Sequence, residues 1–85
     1  MNEEIKNRVK NVLIKKLLHE YRPEDIGDNT FLVELGVGVD SVATLELIVA
    51  LEEEFKISVD EGEVNQELLA TVNSIADYIS NHTKA

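Results

Sequence analysis

One serine, Ser41, lies in a sequence context that suits covalent attachment of an anionic group. It follows Gly38, Val39 and Asp40, and it precedes a run of apolar residues at helical spacing that reaches Phe55. A turn that leads directly into a helix leaves backbone N–H groups unpaired, and the positive end of the helix dipole there favours negative charge. A hydroxyl at this place is a good site for a phosphodiester. An Asp-Ser pair alone, however, is also a common helix start.

The chain offers little for catalysis around this serine. It has no cysteine and only two histidines, His19 and His82, and neither has a sequence context typical of a catalytic triad. The acidic cluster at residues 60–63 lacks the spacing of a calcium-binding loop, and the sequence contains no zinc-ligand set. We expect no catalytic residue and no metal site, and we interpret the protein as non-catalytic.

The composition is typical of a small acidic globular domain. Eight basic residues stand against seventeen acidic ones, so the formal net charge is -9, and 44% of the residues are hydrophobic. Such a charge repels nucleic acids and anionic membranes and favours basic protein surfaces. The sequence shows neither a signal peptide nor an apolar run of membrane-spanning length. We expect a single domain over residues 1–85, a monomer in the cytoplasm, with no nucleic-acid partner and no membrane insertion.

Apolar spacing near the start of the chain predicts the first helix, with Lys6, Arg8 and Lys10 toward solvent. Its apolar face comprises Ile5, Val9, Val12, Leu13 and Leu17. Pro23 and several turn-forming residues then predict a long loop over residues 21–30. The side chains expected to anchor this loop inward are Tyr21, Ile26, Phe31 and Leu35.

A second helix is predicted from Ser41 to Phe55. Its stripe toward the other helices is expected to comprise Val42, Leu45, Ile48 or Val49, and Leu51. Four glutamates lie outside that stripe, at positions 46, 52, 53 and 54, and no basic residue within the helix pairs with them. A charge run is commonly only a solvated face. Beside an exposed serine, we interpret this one as a docking face for basic partners.

The last part of the chain predicts two further helical elements. Residues 57–59 are expected to be an extended connection, because one strand without a partner cannot form a sheet. A short helical turn is expected within residues 60–69, and a final helix follows Thr71 as its N-cap. The predicted fold is all-α, a small four-helix bundle of three longer helices and one short helix, with a long loop between the first two helices.

Three groups of residues together resemble the acyl carrier protein family. Asp40, Ser41 and Val42 are similar to the Asp-Ser-Leu motif of that family, whose serine carries a phosphopantetheine arm. Residues 31–36 before the motif and 45–55 after it also look like the family. The resemblance covers most of the chain, as far as Ile79, and it implies a four-helix fold.

The resemblance implies a role for each part of the site. A phosphopantetheinyl transferase would attach 4'-phosphopantetheine from coenzyme A to Ser41, and Asp40 would cap the helix and be recognised by the transferase. The thiol of the arm would hold acyl groups as thioesters in fatty-acid, polyketide or related biosynthesis. Acyl-transferring and acyl-modifying enzymes with basic patches would dock on Val42, Glu46, Val49, Glu52 and Glu53.

The chain departs from the family pattern near the serine. Val42 replaces the usual leucine, Ala43 replaces a common acidic residue, and residues 37–39 make the lead-in longer. These differences suggest a specialised carrier with partner enzymes of its own. Two alternatives stay open, namely an unmodified acidic helical interaction module and an aminoacyl or peptidyl carrier.

The net charge predicts that added salt stabilises the protein. Like charges repel one another in the folded chain, and salt screens that repulsion. We expect the melting temperature to rise from low to moderate salt in a thermal unfolding series. A melting temperature that stays flat across the series would contradict this prediction.

Overall fold

The part of the chain that the structure describes folds into a small bundle of three α-helices. The computed structural model describes residues 2–60, 62, 64–65 and 67–83. Helix α1 spans Asn2–Lys16, α2 spans Ser41–Phe55 and α3 spans Val72–Thr83. These described residues form no strand, and none of their helices is long and apolar enough to cross a membrane. The all-α prediction is confirmed.

Helix α1 is the central element of the bundle, because it packs against both α2 and α3. Val9 and Leu13 are fully buried on its apolar face, and Val12 is nearly so. The helix ends where the N–H groups of Leu17 and Leu18 both donate to the Leu13 carbonyl at 2.8 Å. The bond from Leu18 closes a turn one residue wider than that of an α-helix, and Leu18, which the helical spacing did not predict as a core residue, is buried.

The core is almost entirely aliphatic. Leu47 and Leu51 enter it from α2, and Ile75 and Ile79 enter it from α3. Phe55 is the one aromatic residue among the buried side chains of the described chain, and no polar side chain is buried among them. Burial of each large aliphatic side chain contributes about 1.5 to 3 kcal/mol, so this shared contact surface stabilises the three helices together.

Two short 3₁₀ turns, at Pro23–Asp25 and Leu32–Leu35, shape the long connection between α1 and α2. Ile26 and Leu32 anchor it in the core, and the Leu32 N–H donates to the Ala70 carbonyl at 2.8 Å. The prediction that Phe31 points inward is wrong, because its side chain is 59% exposed. The second 3₁₀ turn begins at Leu32, which takes the inward position and leaves Phe31 outside.

The carboxylate of Asp28 holds the same connection against α1. Lys10 Nζ lies 2.9 Å from Asp28 Oδ1, and Lys6 Nζ lies 3.5 Å from Asp28 Oδ2. The Asp28 carbonyl accepts a hydrogen bond from the Asn73 N–H at 3.0 Å. The same residue therefore also connects the loop to the first turn of α3. The prediction that Lys6 and Lys10 face open solvent is therefore wrong, because a long loop folds back to meet them. Spacing within one helix could not show that return.

Arg8 is also engaged within the fold rather than directed to open solvent. Its guanidinium lies 4.5 Å from the centre of the Phe55 ring, and it donates to the Glu54 carboxylate and to the Glu54 carbonyl at 2.8 Å each. This contact ties α1 to the end of α2. A cation over an aromatic face with a charged partner is typically worth about 0.5 to 1 kcal/mol at an exposed site.

Residues 57–59, which the sequence predicts to be an extended connection, form neither helix nor strand, and residue 60 continues this irregular segment. The Val59 N–H donates to the carboxylate of Glu52 at 2.7 Å, which fastens this connection to α2. The predicted short helix falls partly on residues 61, 63 and 66, which lie outside the described residues. Among those described, residues 67–69 form a turn, with the Leu69 N–H donating to the Asn65 carbonyl at 3.3 Å. The four-helix count is not confirmed.

Helix α3 begins with a reciprocal cap, as the prediction of Thr71 as N-cap implies. Thr71 Oγ1 accepts from the Ser74 N–H at 3.1 Å, and Ser74 Oγ accepts from the Thr71 N–H at 3.0 Å. Each side chain thus satisfies a backbone donor that the first turn leaves unpaired.

Replacement of Asp28 by asparagine should lower stability at neutral pH. The hydrogen bond from Lys10, followed by the charges of Lys10 and Lys6, holds the pKa of Asp28 below its ordinary value of 3.8, while partial burial opposes that shift. A carboxylate with a lowered folded-state pKa contributes stability above its unfolded pKa and loses it as the pH falls through the folded value. We expect Asp28→Asn to cost on the order of 1 kcal/mol at pH 7.

Urea unfolding of both proteins from pH 7 downward measures the effect. The gap between wild type and Asp28→Asn should begin to narrow near pH 3.8, where the unfolded carboxyl takes up a proton, and should close as the pH falls through the lower folded-state pKa. Glu24→Gln is the matched control, since it removes one charge from an exposed residue of the same connection. An equal loss in both variants would show that the ion pairs of Asp28 add nothing specific.

Candidate functional site

Ser41 is the first residue of α2, and its side chain is exposed. Its hydroxyl makes no hydrogen bond with any residue that the structure describes. A helix side chain leans toward the N-terminus of its helix, so a residue in the first turn projects beyond the helix end. The Ser41 hydroxyl is therefore accessible to another protein, and no hydrogen bond within the described structure depends on it.

Asp40 is the N-cap residue of α2. Its backbone is extended, and its Oδ1 accepts from the N–H groups of Val42 at 2.9 Å and Ala43 at 3.3 Å. The Thr44 hydroxyl and N–H both donate to the Asp40 carbonyl, at 2.8 and 2.9 Å. The cap thus comes from Asp40 and leaves the side chain of Ser41 uncommitted.

Two glycines with left-handed backbone conformations shape the segment that leads into Asp40, residues 36–39. Gly36 has a φ of 100° and Gly38 a φ of 88°, a region that other residues rarely adopt. Val37 between them is buried, and its N–H donates to the Leu32 carbonyl at 3.1 Å. The longer lead-in is therefore fixed to the core at its midpoint, and Val39 after it is exposed.

A cleft of about 440 Å³ opens on the side of α2 that Thr44 occupies. Thr44 follows Ser41 by three residues, so the two lie on the same side of the helix. Phe31 and Val33 line the cleft together with Asn65 and Leu69, which come from a distant part of the chain. Its lining is mostly apolar, and Phe31, which lies outside the core, is part of it. The sequence did not suggest this role for Asn65, because Asn65, Leu69 and Ala70 reach the cleft only through the fold.

The exposed side of α2 carries three apolar side chains at helical spacing. Val42, Leu45 and Val49 are 65%, 60% and 50% exposed. The prediction that Val42 and Leu45 face the other helices is wrong, and Ile48 rather than Val49 faces the core. Apolar residues of α2 follow two helical stripes, and spacing alone does not decide which one is buried. The buried stripe comprises Leu47, Ile48, Ala50, Leu51 and Phe55.

The four glutamates of α2 divide into two pairs. Glu52 accepts from the Val59 N–H, and Glu54 binds Arg8, so both carboxylates serve the fold. Glu46 and Glu53 are exposed, and neither has a hydrogen bond or ion pair with a described residue. The free negative charge of the face therefore concentrates at these two positions, on the same side as the exposed apolar stripe.

No group of histidine, cysteine or carboxylate side chains among the described residues could hold a metal ion. His19 and His82 are both exposed. His82 belongs to the last turn of α3 rather than to a terminal tail, and its ring stacks on Tyr78 with 3.9 Å between the ring centres.

The cap geometry predicts that Asp40→Ala destabilises the protein. The substitution removes the acceptor for two N–H groups at the start of α2, a loss typically worth about 0.5 to 2 kcal/mol. Asp40→Asn keeps an acceptor oxygen at the same place and should lose only a small part of that. Urea unfolding of the two variants against wild type measures the difference, and an Asp40→Ala protein as stable as wild type would rule out the cap as a source of stability.

A family model described as "Phosphopantetheine attachment site" matches residues 8–79. The match includes Ser41, its cap and most of all three helices. Proteins of this family attach a 4'-phosphopantetheine prosthetic group, and they are generally carriers that interact with phosphopantetheinyl transferases and acyl-processing enzymes. The family resemblance drawn from the motif is confirmed. The chain belongs to the phosphopantetheine-attachment family of carrier domains.

Proposed function

We propose that the protein is an acyl carrier protein and that Ser41 carries its 4'-phosphopantetheine group. The observation that carries this proposal is the exposed Ser41 hydroxyl at a capped helix start, with no partner among the described residues. A structural serine at this position would be expected to cap the helix, but Asp40 does so instead. The side chain that the fold does not use is the one that a transferase could modify.

The start of α2 suits a phosphodiester on Ser41. The dipole of a helix favours an anion at its N-terminus by about 0.3 to 1 kcal/mol at an exposed site. The carboxylate of Asp40 opposes this in part, but its Oδ1 is already turned toward the N–H groups of Val42 and Ala43. When bound, the group supplies a thiol that holds acyl cargo as a thioester. The chain has no cysteine that could offer a competing thiol.

The chain itself supplies the nucleophilic oxygen and no base. Ser41 Oγ must lose a proton when it is modified, and no histidine or lysine contacts it among the described residues. Asp40 is committed to the helix cap, where its carboxylate stabilises the site as a charged acceptor. The base would therefore come from the transferase, which agrees with a protein that is a substrate of its partners rather than an enzyme.

Partner enzymes would dock on the exposed side of α2. Val42 and Val49 offer apolar contact, and Glu46 and Glu53 offer unpaired carboxylates for basic residues of the partner. Glu52 would contribute less, because its carboxylate is half-buried and holds the Val59 N–H. Exposed charges of this kind speed and orient encounter more than they add affinity, which suits a carrier that must leave each enzyme quickly.

The cargo would be an acyl intermediate of fatty-acid, polyketide or related biosynthesis. The anchored Val37 lead-in, Val42 and Ala43 change the surface around the serine relative to the common family pattern. We propose on this basis that the carrier serves specialised enzymes.

Intact-mass measurement tests the attachment site. The full chain is incubated with coenzyme A, a divalent metal and a broad-specificity phosphopantetheinyl transferase. We expect one phosphopantetheine on wild type and none on Ser41→Ala. Ser58→Ala is the matched control, since Ser58 is also exposed but lies in the extended connection, and it should be modified like wild type.

The other outcomes distinguish the alternatives. An unmodified wild type, together with loss of partner binding on charge reversal at Glu46 and Glu53, would support an unmodified acidic interaction module. A holo protein purified from its source with an amino acid or peptide on the thiol would identify an aminoacyl or peptidyl carrier. Modification of Ser41→Ala at another residue would overturn the assignment of the site.

A further inference from the structure

A shallow groove of about 410 Å³ runs between the end of α1 and the exposed side of α2. Its floor is apolar and includes Val42, Leu45 and Val49. Three charged side chains border it, Glu46 and Glu53 from α2 and Lys16 from the last turn of α1. The groove therefore combines a positive charge with two negative ones around an apolar centre.

The α2 side of the groove is one straight stripe. Positions 42, 46, 49 and 53 recur at intervals of four, three and four, so they lie along one face of the helix. Glu46 and Glu53 are seven residues apart, which corresponds to about 10 Å along the axis. Val49 lies between them, so an apolar side chain from a partner would enter between two carboxylates.

The three charged side chains that border the groove are unpaired among the described residues, unlike several charges elsewhere on α1. Glu46, Glu53 and Lys16 make no ion pair or hydrogen bond with a described residue through their side chains. By contrast, Arg8 is held by Glu54, and Lys10 is held by Asp28. Lys16 is thus an unpaired cation placed at the edge of an otherwise acidic surface.

We infer that this groove seats a segment of a partner enzyme that carries an apolar side chain between two basic residues and an acidic residue opposite Lys16. The inference rests on the proposed carrier function and adds Lys16 to it as a specificity-determining residue. A partner surface that is basic throughout would place like charges together at Lys16, and such contacts are unfavourable. Lys16 would therefore select among partners that the two glutamates alone would accept equally.

Two synthetic helical peptides provide the probe. Both carry a leucine between two lysines that are seven residues apart, and they differ at one position that faces Lys16, which is glutamate in the first peptide and lysine in the second. Titration of the unmodified, isotopically labelled full chain, followed by NMR, detects even weak binding and shows which residues respond. Spectra of the free proteins confirm that each variant is folded.

We expect wild type to bind the glutamate peptide more tightly than the lysine peptide, by about threefold to fivefold, the range of one exposed charge pair. Lys16→Glu should reverse that order. Lys15→Glu is the matched control, because Lys15 is in the same last turn of α1 but outside the groove, and it should leave the order unchanged.

Two results would overturn the inference. If neither peptide perturbs the signals of the groove residues, the groove does not seat such a segment. If both bind but Lys16→Glu leaves their order unchanged, Lys16 has no selective role. The titration does not depend on modification of Ser41. If the peptides bind as expected but the transferase does not modify wild-type Ser41, the groove is kept and the carrier function is rejected.

Discussion

Burial of α1 between α2 and α3 is the interaction on which the rest of the structure depends. A chain of this size has a small core, and only one helix contributes to both major helix contacts. Small domains bury a modest fraction of their surface, so the loss of the α1 contacts would leave too little buried surface to hold α2 and α3 in place. The aliphatic face of α1 therefore determines where the ends of α2 lie, including the end that bears Ser41.

The charges of the chain are divided by function. Basic side chains are scarce, and those of Lys6, Arg8 and Lys10 join α1 to the loop and to α2. Each pairing removes a carboxylate from the surface that a partner would meet, since Asp28 and Glu54 are taken up in this way. What remains on α2 is a smaller and more directional set of charges than the run of glutamates suggests. An acidic sequence therefore yields a surface on which the unpaired carboxylates lie at a few defined positions rather than everywhere.

Much of the fold and the centre of the site could be predicted from the sequence. Helix α2 begins and ends where the motif and the spacing indicate, and Thr71 precedes α3 as a cap. The failures share one physical cause, which is that short-range spacing does not report on long-range contacts. Val42 and Leu45 satisfy helical spacing as well as Leu47 and Leu51 do, and only the position of α1 decides between them. The glutamates interleaved with Val42 and Val49 were the available signal that this stripe faces outward. Phe31, Lys10 and Asn65 depend on segments distant in sequence, which no local pattern shows.

The cap of α2 makes the stability of the fold largely insensitive to what is attached to Ser41. Because Asp40 holds the helix start, the side chain of Ser41 contributes no bond to the native state. A group on that oxygen would leave the same internal contacts in place, so its attachment would change the free energy of unfolding by no more than the helix dipole contributes, about 0.3 to 1 kcal/mol. A carrier built in this way would pass through many rounds of charging and discharge without approaching its own unfolding transition. Such a carrier would keep its stability through loading because Asp40 makes the hydrogen bonds that cap α2 and the side chain of Ser41 makes none.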